Sequence, residues 1–167
     1  MRLIRLLLFI IIVGSCSTNK KPVKIDYNLD YSKLDNFIKD SLPKTLELNT
    51  NNYDVFEKWK DISLINSVKN IPLVDSRQLS YPLNSLKKDI QKIIDTNVPF
   101  ELDHPQIIGR FRVLKTDILK IDADNITIEN LTIFKNHLID IIDSYNAFVN
   151  TMNLELSKDK SVDFSED

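Results

Sequence analysis

Glycine is nearly missing from this chain of 167 residues: there are two, Gly14 and Gly109. Phosphate-cradling loops of the Walker type, GxGxxG dinucleotide turns and glycine-rich β-barrels all need backbone positions with φ above zero, so the scarcity argues against each of them. Cysteine occurs once, at Cys16, which excludes an internal disulfide, and the only imidazoles are His104 and His137. Soft metal ligands are therefore almost absent, and no Cys-x-x-Cys-His for covalent haem exists. No Gly-x-Ser-x-Gly elbow is present to expose a nucleophilic serine. Nor is there a strong surplus of one charge: 22 basic side chains face 24 acidic ones. Without the first fifteen residues the balance is 20 against 24, a net of −4, and no basic block suggests a nucleic-acid partner.

What is present reads as one globular body. Hydrophobic residues make up 43% and charged residues 28%, and about 150 residues bury enough surface to need no metal or disulfide staple. Residues 1–15 form a leader: Met1-Arg2-Leu3-Ile4-Arg5, an apolar run from Leu6 to Val13, then Gly14 and Ser15. That run is too short to span a bilayer, which takes about 20 apolar residues. Residues 16–30, with Lys20, Lys21, Pro22 and Lys24, lack periodicity and read as a tether, either a solvated spacer or a basic stretch that touches headgroups.

Val13-Gly14-Ser15-Cys16 resembles the lipobox of bacterial lipoproteins, an aliphatic residue and two small ones before a cysteine. The resemblance implies diacylglycerol on the sulfur of Cys16, cleavage just before it, and a body exported but held at a membrane. The same residues also read as an ordinary leader followed by an incidental cysteine, or as an N-terminal anchor left uncleaved. Ser17, where an aspartate would mark inner-membrane retention, implies the outer membrane by the same resemblance. The richness in Asn, Lys and Ile is similar to that of lipoproteins from AT-rich bacteria such as Bacteroidetes; beyond Cys16 no characterised family is resembled.

The body, residues 31–156, is expected to be all-α. Leu131, Phe134, Leu138, Ile141, Tyr145, Phe148 and Met152 alternate steps of three and four, which predicts a helix over 127–156 capped by Asn125 or Thr127. Ile107, Phe111, Leu114, Ile118 and Ile121 predict a second, with Asp103 as N-cap and Pro105 in its first turn. The short connection Asp122–Asn125 requires those two to pack as an antiparallel hairpin. A third helix is expected over 79–93, a fourth over 52–69, and a short extra one over 32–42. The expected architecture is an up-and-down bundle of about four helices, with the tail 157–167 polar and frayed.

Chemistry-bearing residues are few. His104 and His137 could hold metal or haem in a bundle, but Glu101-Leu102-Asp103-His104 gives the Glu-x-x-His spacing of di-iron bundles only once. Asp122 to Glu129 offers clustered oxygens yet lacks the length and glycine of a calcium loop, and reads as an interhelical turn. Gly109 with Arg110, Arg112 and Lys115 suggests a close approach at the glycine and an ion pair, for which Asp140 is a candidate partner of Arg110. Trp59, Tyr81 and Tyr145 read as core or boundary aromatics. The expectation is a non-enzymatic, partner-binding or scaffolding lipoprotein without cofactor, touching the membrane through Cys16 and an envelope protein through its body. The alternative is a periplasmic bundle that binds a small ligand, metal or haem.

Overall fold

The computed structural model describes residues 29–49, 53–93 and 98–162. Six α-helices and no strand occur among them, so the fold is all-α. Helix α1 is Tyr31–Asp40, α2 Tyr53–Lys58, α3 Ile62–Asn66, α4 Ser80–Lys92, α5 Pro105–Lys120 and α6 Leu131–Val162.

Helix α6 is the spine. Phe134, Leu138, Ile141, Tyr145, Phe148 and Met152 are all buried, as are Ile142 and Val149 beside them, a stripe wide enough to seat α6 in a bundle. Its entry is a capping box: the Asn130 side chain accepts from the Thr127 N–H at 2.8 Å while the Thr127 hydroxyl accepts from the Asn130 N–H at 3.4 Å. The helix continues to Val162, six residues beyond the end expected from its apolar stripe.

Helix α5 starts one residue later than expected. His104, not Asp103, is the N-cap, and its side chain makes no capping bond. Pro105 is the cause, because a proline ring pushes the preceding residue out of the helical region, and His104 sits at φ −102°, ψ 136°. Helices α4 and α5 are antiparallel and cap each other. Lys87 of α4 donates to the Ile121 carbonyl past the end of α5 at 2.6 Å, and Lys115 of α5 donates to the Ile93 carbonyl past the end of α4 at 2.7 Å. Each ammonium meets a helix C-terminus, where carbonyls lack partners and the macrodipole favours positive charge.

The expected helix over 52–69 is not continuous. It breaks at Trp59 into α2 and α3 and then tightens into 3-10 turns from Ser67 to Leu73. The reason is visible in the spacing. Phe56, Trp59, Ile62, Ile65, Val68 and Ile71 recur every third residue, and all are buried except Ile62, which packs against the core from its edge. In an α-helix a strict period of three drifts about 60° around the axis per step, so six such residues could not share one face; three residues per turn is the 3-10 repeat. The break seats Trp59 against Phe111 and Phe148, each pair of ring centroids 5.9 Å apart.

Between α1 and α2 the chain runs without helix along α6, held by two asparagines. The Asn146 side chain accepts from the Leu46 N–H at 2.7 Å and donates to the Lys44 carbonyl at 2.8 Å. One heptad on, Asn153 accepts from the Asn49 N–H at 2.8 Å and donates to the Glu47 carbonyl at 3.0 Å. The registers match because three extended residues cover about 10 Å and seven helical residues about 10.5 Å. This strap buries Leu42 and Leu48.

Each asparagine makes two amide–backbone bonds worth about 1 kcal/mol apiece after exchange with water. Asn146→Ala and Asn153→Ala should each lower stability by about 1–2 kcal/mol, with the Leu46 amide exchanging faster in the first and the Asn49 amide in the second. Hydrogen exchange by NMR measures both, and unchanged protection at those amides would contradict the strap.

Candidate functional site

Cys16 lies outside the described residues, as do the rest of the leader and tether up to residue 28. The other candidate residues are placed, and the fold separates most of them.

His104 precedes α5 at its N-terminal end. His137 stands in the second turn of α6, beside a depression of about 60 Å³ shared with Asp122, Asn130 and Phe134. The two imidazoles are thus near opposite ends of the α5–α6 hairpin, and α5 alone is about 24 Å long at 1.5 Å per residue. They cannot ligate one centre. Glu101 is engaged elsewhere: it forms an ion pair with Lys58. That hydrogen bond holds the Glu101 carboxyl below its ordinary range and lifts the Lys58 ammonium above its own. Among the described residues no group of three or more His, Cys, Asp or Glu is arranged to hold a metal ion.

Oxygens of Asp124, Asn125 and Thr127 serve the turn. Asp124 accepts from the Asn84 side chain of α4, the Asn125 carbonyl accepts from Asn130, and Ala123 and Ile126 are buried beneath them.

The basic cluster on α5 disperses. Lys115 turns inward to the Ile93 carbonyl, whereas Arg110 and Arg112 are exposed. The pair expected between Arg110 and Asp140 does not form. Packing sets Phe111 beside Phe148 in an antiparallel hairpin, which puts residue 110 near the level of 149, nine residues or about 13 Å from Asp140. Gly109 does not mark a close approach either: a side chain added there meets nothing within 4 Å. It borders an open depression of about 290 Å³ with Gln106, Arg110, Val113 and Thr151.

Trp59 and Tyr145 are core residues as expected, but Tyr81 is 83% exposed. Tyr145 donates its hydroxyl to the Asn66 side chain at 3.2 Å. Burial, reinforced by the negative charge of Glu47, pushes its phenol up to about 12. The Trp59 indole N–H is buried without a hydrogen-bond partner. A larger open depression, about 520 Å³, lies between the 3-10 turns and α4, lined by Val74, Arg77, Gln78, Ser80, Tyr81 and Pro82, and Leu73 next to it is 79% exposed. Periodicity could not find this patch, because it assigns apolar residues to the core; the one hint was Leu73 falling two residues past the last step of the three-residue repeat.

No helix among the described residues is long and apolar enough to cross a membrane. No protein-family model, curated protein or solved structure matches the chain.

Two outcomes follow from these placements. Gly109→Ala should stabilise the protein by about 0.5–1 kcal/mol, since the site is helical, open and exposed, and glycine there costs helix propensity without gaining contact; a melting temperature that falls instead would show that something does approach Gly109. Tyr145 binds its proton more tightly folded than unfolded, so its contribution is complete below about pH 10, the unfolded value, and is lost as pH rises towards 12. Tyr145→Phe should give up about 1 kcal/mol at neutral pH with the Asn66 bond, and flatten the loss of stability between pH 10 and 12 in denaturant titrations.

Proposed function

We propose that this chain is an exported protein held at a membrane by acyl chains on Cys16, whose all-α body holds or binds a partner in the bacterial envelope without catalysing a reaction. The observation that carries the reading is Val13-Gly14-Ser15-Cys16, standing directly behind a short apolar run with Arg2 and Arg5 before it. The thiolate of Cys16 is the only one the sequence offers for such a modification. Each buried methylene of an acyl chain contributes about 0.8 kcal/mol; one chain holds marginally, and two or three hold stably. Ser17 in place of aspartate favours the outer membrane.

The body supports a holding role over the ligand-binding alternative. Trp59, Phe111 and Phe148 fill the middle of the bundle, where a haem or metal bundle would place its cofactor, and the two histidines stand near opposite ends of the hairpin. The depressions that line the surface are open ones, suited to contact with a broad partner more than to enclosure of a small molecule.

Mass spectrometry of the native protein from its own membranes tests the anchor. The expected species starts at residue 16 and carries diacylglycerol on the sulfur; a free thiol at Cys16 in a membrane-bound chain, or an intact Met1 terminus, would overturn it.

A further inference from the structure

One end of the bundle gathers apolar side chains that the core leaves uncovered. Tyr81, 83% exposed, and Arg77 line the 520 Å³ depression there, and Leu73, 79% exposed, directly precedes Val74 of its lining. Ile128 and Ile133, both exposed, belong to the same end, because the bond from Asn84 to Asp124 ties the start of α4 to the α5–α6 turn.

This is also where the body meets the segment leading to Cys16. The Ser76 hydroxyl donates to the Tyr31 carbonyl at 3.3 Å, the Ser76 N–H donates to the Asp35 carboxylate at 3.0 Å, and the Arg77 guanidinium lies 6.0 Å from the centre of the Tyr31 ring. Tyr31 is two residues beyond Leu29, the first described residue. Beside Tyr31 and Arg77 three acids are engaged with the backbone: Asp30 accepts from the Ser32 N–H, Asp35 from that of Ser76 and Asp75 from that of Arg77. On the α5–α6 turn at the same end Asp124 accepts from Asn84, and Asp122 and Glu129 are exposed. Asp30 also faces Lys33 at 3.8 Å.

We propose that this end of the bundle is a bilayer-contacting face, with Leu73 and Tyr81 entering the boundary between headgroups and acyl chains and Arg77 set against lipid phosphate. The inference rests on the lipid anchor proposed above. Tyrosine suits that depth because its ring is apolar and its hydroxyl wet, and a guanidinium matches phosphate geometry. The thirteen residues from Cys16 to Leu29 span at most about 45 Å. An anchored body therefore presents this end to the membrane at high effective concentration, so contacts too weak to recruit a free protein suffice to orient a tethered one. Phe100, still more exposed at 90%, precedes α5 at the opposite end of the hairpin and supplies the internal comparison.

The test uses the full, natively lipidated chain in vesicles of phosphatidylethanolamine and phosphatidylglycerol. Tyr81→Cys, Leu73→Cys and Phe100→Cys each receive a nitroxide label, Cys16 being blocked by its lipid, and collisions with oxygen and with a water-soluble nickel chelate are compared by electron paramagnetic resonance. Labels at 73 and 81 should be several-fold richer in oxygen collisions and poorer in nickel collisions than the label at 100. Equal nickel access at all three positions, with the protein still sedimenting with the vesicles, would overturn the orienting face and leave the anchor standing. Shielding from nickel without oxygen enrichment would mean that protein covers the patch, which also overturns it. A chain that labels at Cys16 and stays in solution would sink both readings together.

Discussion

The unbroken apolar face of α6 is the constraint on which the rest of the molecule depends. Helix α5, the 3-10 turns, the strap and the Trp59 corner all pack on that face. A helix of this length gains little from intrinsic propensity, since its sequence is rich in β-branched isoleucine; what stabilises it is the burial of Phe134 through Met152 beneath several neighbours at once. The neighbours in turn are too short to stand alone. Helices α2 and α3 have six and five residues, well below the dozen or so at which an isolated helix becomes even marginal in water. They exist because α6 offers a surface to cover.

Much of this was legible in the chain. The steps of three and four from Leu131 to Met152 and from Ile107 to Ile121 gave two helices and their antiparallel pairing, and Leu83, Leu86 and Ile90 gave a third. The misreadings have local physical causes. Residues 52–69 fit an α-helix in sequence because apolar positions at i and i+3 suit both helical repeats and Val55/Trp59 and Leu64/Val68 add i+4 pairs. The distinguishing sign is the run of five equal steps of three from Phe56 to Ile71. Side-chain chemistry favours Asp103 as the cap of α5, whereas the steric demand of Pro105 on its predecessor fixes the boundary at His104. The strap was illegible because its bonds go to backbone groups across about a hundred residues of sequence, leaving no pattern in residues 43–49 themselves.

The candidate site was legible in a different sense. A covalent anchor is written into four consecutive residues and needs no tertiary structure to be read, so Cys16 stands out. The reading of α5 as a charged cluster joined residues that a helix turns apart: Arg110 and Arg112 lie about 200° from each other around the axis, and Lys115 is drawn away by an unpaired carbonyl. The patch at Leu73 and Tyr81 escaped for the opposite reason. Its members lie on a turn and on the outer side of α4, and only the folding of Ser76 against Tyr31 brings them beside the start of the body.

The two asparagines of α6 bind the strap through peptide groups alone, accepting from N–H and donating to C=O at alternate residues. A clasp of that kind is indifferent to the identity of the side chains it holds, apart from the apolar demand at Leu42 and Leu48 and the need for an N–H at positions 46 and 49. Residues 44 and 45 are consequently free to drift over evolutionary time, Glu47 being held besides by its ion pair with Lys69, and a diverged cousin of this protein would be betrayed less by the strap's own letters than by a pair of amides one heptad apart on its longest helix.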